Sequence, residues 1–247
     1  MRRLMHLALP LSLVGVWQIC AQKGLVLTPP KAVVDAFLND LMSGRLLLDT
    51  GFTLARLLLG TLIGAILGVA MGYALAFNRA FRDIVGPTLS IISQFPPIVW
   101  TPFVIATAGI GDAAKIVLVS ISAFLIWCPA QLKAIEDIDP RLTEVLLAYD
   151  VDRNTALRYF YFPATLPALG QALHNSVVFG WIILIAAELI GSSNGLGWYV
   201  WDARNFGRTP QFLAGLLVTG IIGAMLSFAA QRTIRTWTAW LPNRNFG

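Results

Sequence analysis

Residues 57–77 read LLLGTLIGAILGVAMGYALAF, an apolar run without one charged side chain. A helix needs roughly 20 such residues to cross the hydrocarbon core of a bilayer. The run has no period-two alternation, and a lipid-embedded backbone outside a closed barrel must satisfy its own hydrogen bonds as a helix. It also carries Gly60, Gly64, Gly68 and Gly72, one glycine every fourth residue. On a helix these line up as a flat ridge ~18 Å long, a small-xxx-small surface against which another helix packs closely. Tight packing is the simple reading of that ridge, and a surface that slides during movement is the sharper one.

The same logic extends this run to 51–77 and marks five more apolar segments at 4–22, 84–109, 115–135, 164–191 and 211–234. Across all 247 residues, 57% are hydrophobic and 13% are charged, about half the charged share of an ordinary soluble domain. A mean hydropathy of +0.70 leaves too little polar surface for a single water-soluble core. The expected fold is an all-α membrane protein whose whole length, 1–247, forms one membrane domain. The first segment, within MRRLMHLALPLSLVGVWQICAQ, has the look of a secretory signal but is not followed by a small-x-small cleavage site. A retained anchor is expected. Between the first two segments, Val33, Val34, Phe37, Leu38 and Leu41 fall at helical spacing, which predicts a short amphipathic helix on the outer surface.

Orientation follows from the basic residues. Arg2, Arg3, Arg79, Arg82, Lys133, Arg141, Arg153, Arg158, Arg232, Arg235 and Arg244 fall on one side of the six segments. Lys23, Lys31, Arg45, Lys115, Arg204 and Arg208 fall on the other. The positive-inside rule places the richer side, with both termini, in the cytoplasm. Trp198 and Trp201 outside, with Trp237 and Trp240 inside, suit interfacial belts. The net charge of +5 is scattered and not gathered in a stripe, so nucleic acid is not an expected partner. Cys20 and Cys128 lie within apolar runs and read as small buried hydrophobes, not as a disulfide or a metal site.

Few residues inside the segments offer chemistry. Pro96, Pro97 and Trp100 belong to SQFPPIVWTP (93–102), where prolines remove backbone hydrogen bonds and interrupt a helix in the manner of a translocation pathway. A packing kink is the plainer account. Arg56, His174 and Glu188 are ionisable groups within the spans and therefore pathway or gate candidates. Their plainer readings are snorkelling to the interface for Arg56, a hydrogen bond to a neighbour for His174 and interfacial solvation for Glu188. His174 and Glu188 cannot act as an acid–base pair on one helix, because fourteen residues separate them by ~21 Å. The sequence holds no HExxH, phosphate loop or metal-spaced cluster, so no catalytic residue and no metal are assigned.

One charged element interrupts this pattern. Residues 143–167, TEVLLAYDVDRNTALRYFYFPATLP, follow Arg141 and carry Glu144, Asp150, Asp152, Arg153 and Arg158 between long apolar runs. Asp139-Pro140 opens a first short helix and Asp150 or Asp152 caps a second; Pro163 and Pro167 begin the next span. A helix–turn–helix on the cytoplasmic face, shaped for a soluble partner, is expected.

That stretch resembles the cytoplasmic EAA loop of permease subunits from bacterial ATP-binding-cassette importers. The family pattern sets a glycine six residues after its glutamate and a hydrophobic-proline pair whose proline falls nineteen after it. Glu144 and Pro163 keep that spacing, while Val145 and Leu146 replace two alanines and Asp150 replaces the glycine. FPPIVWTPFVIATAGIGDAAKI (95–116), DIDPRLTEV (137–145) and AAELIGSSNGLGWYVWDARNF (186–206) are similar to the nitrate/sulfonate/taurine-type permeases in particular. The resemblance implies six transmembrane helices of the type I importer kind, with a coupling helix in the loop 137–163 between the fourth and fifth. It assigns ATPase coupling to Glu144, Ala148, Asp150, Arg153 and Pro163. It further implies a second permease subunit (a homodimer), two cytoplasmic ATPases that hold ATP and magnesium, an extracytoplasmic substrate-binding protein, and residence in the bacterial inner membrane. The permease itself would hydrolyse nothing and hold no cofactor. A small organic or inorganic anion is the expected solute. A carrier not driven by ATP would be expected to show inverted repeats and more intramembrane charges. A degenerate scaffold subunit is the alternative that the three departures would suit.

Overall fold

Long helices separated by capping residues build the chain. The computed structural model describes residue 12, residues 15–21 and residues 28–237. The expected first segment, 4–22, lies mostly outside the described residues, although 15–21 are helical. Arg2, Arg3, Lys23, Arg244, Trp240 and the Trp237 side chain also lie outside them.

The described helices are α1 (Pro30–Met42), α2 (Arg45–Phe77), α3 (Arg79–Ile92), α4 (Thr101–Ala108), α5 (Asp112–Glu136), α6 (Pro140–Ala148), α7 (Arg153–Ala156), α8 (Phe162–Gly191), α9 (Leu196–Asn205) and α10 (Thr209–Trp237). Four helical runs are long and apolar enough to cross a membrane: α2, α5, residues 153–191 and α10. The pair α3 and α4 passes the same test as a fifth, but bent by 91°. Large apolar side chains such as Leu58, Ile66, Ile221 and Phe228 are exposed along α2 and α10. Water would penalise that surface, whereas hydrocarbon does not.

The segment boundaries differ from expectation where local chemistry intervenes. α2 starts at Arg45 instead of residue 51, because Asp49, Thr53 and Arg56 in its first turns find buried partners. The segment expected at 84–109, with its prolines as an interruption, divides in two: Asn78 caps α3 by accepting from Phe81 N–H (3.0 Å), and Pro96 stops the chain before a 3₁₀ turn, Pro97–Trp100. Pro163 stands in the first turn of α8, as expected, but the helical run does not start there. The helix runs through it from Arg153 by way of a π turn at Leu157–Tyr161. Proline has no N–H for the carbonyl one turn earlier. The wide turn absorbs this by letting Phe162 N–H reach back to Leu157 O, as π-bulges do.

The tightest packing is α2 on α5, and the glycine ridge is the reason. A Cβ at Gly60 would lie 2.6 Å from Val119 Cβ, one at Gly64 2.6 Å from Ala123 Cβ, one at Gly68 2.8 Å from Trp127 Cβ and one at Gly72 2.6 Å from Gln131 Cβ. Leu57, Val119, Trp181, Leu184 and Tyr199 close the core where α2, α5, α8 and α9 meet. α8 and α10 complete the bundle.

Candidate functional site

Asp49, Thr53 and Arg56 are spaced i, i+4, i+7 and therefore share the face of α2 that continues into the glycine ridge. At this end of the bundle α9 begins, and its first amide groups have no intrahelical acceptors. The α2 face and α8 supply them. Gly195 N–H donates to Asp49 Oδ1 (2.7 Å), Leu196 N–H to Thr53 Oγ1 (2.9 Å) and Gly197 N–H to Glu188 Oε2 (2.9 Å). A carboxylate at a helix start also meets the positive end of the helix dipole. Only glycine suits position 195: its φ is +106°, and a Cβ there would strike the Glu188 carboxylate.

Glu188 is fully buried and Arg56 is 2% exposed. Arg56 Nη1 donates to Glu188 Oε1 at 2.5 Å and to Asn194 O at 3.2 Å. Its Nη2 donates to Asp112 Oδ1 at 2.6 Å and to Asn194 Oδ1. The Thr53 hydroxyl lies 3.0 Å from both Glu188 oxygens. Lys115, also buried, donates to Ser192 Oγ at 2.7 Å. Two expectations are corrected. Arg56 does not snorkel and Glu188 is not solvated at an interface, because each neutralises the other inside the protein, the arrangement that makes a buried charge tolerable. The hub ties α2, α5, α8 and α9 together. Sequence reasoning missed the pairing, along with Asp49, Thr53, Asp112, Lys115 and Asn194. The available signal was the helical spacing of Asp49, Thr53 and Arg56 on the glycine face.

Beside the hub, Asp202 accepts from Arg45 Nη2 (2.7 Å) and from Arg208 Nη2. Burial alone would raise its carboxyl, but the two arginines outweigh that and hold it below the usual carboxylate range. The Tyr199 hydroxyl donates to Asp40 at 2.5 Å, and Trp198 stacks on Trp201 with centroids 4.9 Å apart.

The charged loop sits at the opposite end of α2. Tyr161 packs edge-on against Phe77 at 4.9 Å, and Arg82 pairs with Glu136 nearby. Asp139 caps α6 by accepting from Arg141 N–H (2.9 Å). Nothing in α6 is buried, and Leu142, Val145, Leu147 and Tyr149 are exposed apolar side chains on it or at its end. Glu144 and Ala148 are exposed on the same short helix, Arg153 is exposed at the start of α7, and Pro163 lies partly buried beyond the π turn.

Asp150 is not a helix cap. Asp152 caps α7, its carboxylate accepting from Thr155 N–H at 3.0 Å, and the Thr155 hydroxyl, with that amide, holds its carboxyl below the usual range. Asp150 instead ends α6 with φ +51°, the sole left-handed non-glycine residue among the described ones. Asp150 N–H bonds to Leu147 O and Val151 N–H to Leu146 O, both 3.1 Å, which is the Schellman closure that glycine normally makes. Glycine adopts this left-handed conformation without the steric cost that a Cβ carries. Asp150→Gly should therefore stabilise the turn by roughly 0.5–1 kcal/mol, read as slower hydrogen exchange at the Val151 amide. Faster exchange would contradict this account of the turn.

The remaining candidates stand apart from both ends. Pro96, Pro97 and Trp100 form the break in the bent pair, where Trp100 meets Phe95 and Phe103 edge-on at 6.2 and 6.3 Å. His174 Nε2 lies 3.0 Å from Ser227 Oγ on α10, far along α8 from Glu188.

The taurine transport system permease protein TauC of Escherichia coli is 27% identical over 92% of this chain and 86% of its own length. SsuC of Bacillus subtilis, named as a permease protein for aliphatic sulfonates transport, is 28% identical over 95% of this chain and 86% of its own. A chain of the MetNI methionine ABC transporter in an inward-facing conformation superposes with a TM-score of 0.68 at 21% identity, over 80% of this chain and 98% of that one; it shows the shared fold. Residues 60–236 match the family described as the binding-protein-dependent transport system inner membrane component, and this chain, a multi-helix membrane permease, belongs to that family.

Proposed function

We propose that the chain is the membrane-spanning half of an ATP-driven importer for a small sulfonate-like or nitrate-like anion. Two permease copies, two cytoplasmic ATPases carrying ATP and magnesium, and an extracytoplasmic binding protein make up the working assembly. Six spans put both termini in the cytoplasm: the segment at 4–22, α2, the bent pair, α5, the run 153–191 and α10. The excess of arginine on the α6 side supports that orientation, and the names of TauC and SsuC support the solute class.

The observation that carries the reading is α6. It is a capped helix of nine residues, none of them buried, exposing an apolar ridge beside Glu144 at the end of the bundle remote from the Arg56 hub. In a chain of this family such a surface suits a groove on a soluble ATPase. α6 acts as the coupling helix, and the unbroken run from Arg153 through the π turn carries its movement into α8. Glu144→Lys should leave the membrane bundle folded and either detach the ATPase or abolish the stimulation of ATP hydrolysis by the binding protein. A charge-assisted contact of this kind contributes roughly 1.5–3 kcal/mol. The measurement is stimulated ATPase activity of the reconstituted complex with co-purification as control. Full assembly and full stimulation would remove Glu144 from the coupling role.

A further inference from the structure

α3 turns its polar face inward. Arg79, Arg82, Asp83, Gly86, Ser90 and Ser93 recur at helical spacing on one side of it. From Arg82 to Ser93 that side lines a cavity of about 480 Å³ against α5. Ile84 and Ile91, on the other side, are exposed and suit hydrocarbon. No residue of α3 is buried, so α3 stands off α5 with a groove between them. Arg82 reaches across the mouth of this groove to pair with Glu136 of α5.

The far wall is apolar, built from Leu75 of α2 and Phe124, Leu125 and Leu132 of α5. On the near wall, Ser93 turns its hydroxyl back onto Ser90 O at 2.9 Å and asks nothing of an occupant. Glu136 at the mouth and Phe124 at the far end lie ~18 Å apart along α5. One leaflet of a hydrocarbon core roughly 30 Å thick has a similar depth. Hydrocarbon fills an apolar groove of this kind more readily than water does.

The mouth adds charge. A second cavity of about 470 Å³, lined by Ala76 and Arg79, shares Leu75, Arg82 and Asp83 with the groove. Arg79 and Asp83 are exposed, and neither side chain has a hydrogen bond or ion pair among the described residues. An arginine four residues before an acid is the poorer order for a pair within one helix. Opposite charges on side chains whose Cβ atoms are about 5–6 Å apart match a phosphate and an ammonium joined by two carbons.

We propose that the groove between α3 and α5 is a site for one phosphatidylethanolamine molecule. Its phosphate meets Arg79, its ammonium meets Asp83, and one acyl chain lies along Phe124, Leu125 and Leu132. Basic pockets between membrane helices hold phospholipid headgroups in this way. Asp83 selects the headgroup: phosphatidylglycerol brings it no cation, and the methylated nitrogen of phosphatidylcholine donates it no hydrogen bond. The lipid supplies the packing that α3 lacks and braces the first half of the bent pair against α5.

Native mass spectrometry of the full chain, purified in detergent and stripped of lipid, tests the site. Re-equilibrated with dioleoyl phosphatidylethanolamine, each chain should retain one lipid. Dioleoyl phosphatidylglycerol and dioleoyl phosphatidylcholine should be retained at about a fifth of that level, and Arg79→Ala should lower phosphatidylethanolamine about fivefold, the worth of one interfacial charge. Leu125→Trp, which fills the groove, should abolish retention, whereas Arg232→Ala, an exposed arginine on α10, should match the wild type. Asp83→Lys should reverse the preference toward phosphatidylglycerol, a switch that misfolding does not produce. Equal retention of the three lipids overturns the site and leaves annular lipid only, as does retention unchanged by both Arg79→Ala and Asp83→Lys. Displacement of the lipid by water-soluble phosphoethanolamine at equal concentration would overturn the acyl-chain groove.

Discussion

Glu188→Ala should be the most damaging single truncation in the described protein. It strips Arg56 of its enclosed counter-charge and leaves the Gly197 amide at the start of α9 without an acceptor. Breaking one side of a buried pair costs roughly 3–5 kcal/mol, and the orphaned N–H adds about 1–3 kcal/mol. The net stability of a folded domain is of the same order, so the variant should be largely lost from detergent extracts. Arg56→Ala should fail similarly. The pair Arg56→Ala with Glu188→Ala should cost less than the sum of the two, because neither charge is then stranded. Glu188→Gln should be intermediate: an amide still accepts from Thr53 and Gly197 but does not neutralise Arg56. The measurement is the thermal stability of the solubilised protein by fluorescence-detected gel filtration. Wild-type stability in Glu188→Ala would refute the hub as the anchor of α8 and α9.

Gly64→Leu follows in size. The added Cβ alone would meet Ala123 Cβ at 2.6 Å and Phe124 N at 2.9 Å, and would press on Ser120 O. Two of those three atoms are backbone, so no side-chain rotation relieves the clash and α2 must move away from α5. Overpacking of cores costs roughly 1–3 kcal/mol and sometimes more; with backbone on the receiving side, the upper end or beyond is expected. Gly220 on α10 is the control, because a Cβ there would meet nothing within 4 Å. Gly220→Leu should extract and melt like the wild type. Equal tolerance of both substitutions would mean that α2 and α5 do not pack face to face.

The two variants also separate what was legible from what was not. The glycine ridge was readable in residues 57–77, because a four-residue repeat on an apolar helix has few uses other than close packing. Its partner was not readable: every apolar segment offers hydrophobic faces, and only the folded chain sets Val119, Ala123, Trp127 and Gln131 against the four glycines. At residue 150 the resemblance marked a glycine position held by aspartate, and the preference of aspartate for caps suggested a cap. The backbone decided otherwise, because Asp152 was better placed to reach Thr155 N–H and the chain needed a left-handed residue to close α6. At Pro163 the proline rule predicted a helix start, and α8 does start there, but the π turn that joins it to the run from Arg153 was not readable.

The sequence by itself determined that this is an all-helical membrane protein with one charged element among its spans. Those properties are local: run length, periodicity and proline or glycine placement act within a few turns of helix. Only the tertiary structure decided what the buried charges do. Arg56 and Glu188 lie 132 residues apart, and an ionisable residue in an apolar segment looks the same in sequence whether it lines a path, reaches for water or meets an opposite charge. The free energy that distinguishes those fates is the desolvation of one group offset by a partner from another helix. That term comes into being only when α2, α5, α8 and α9 are brought together.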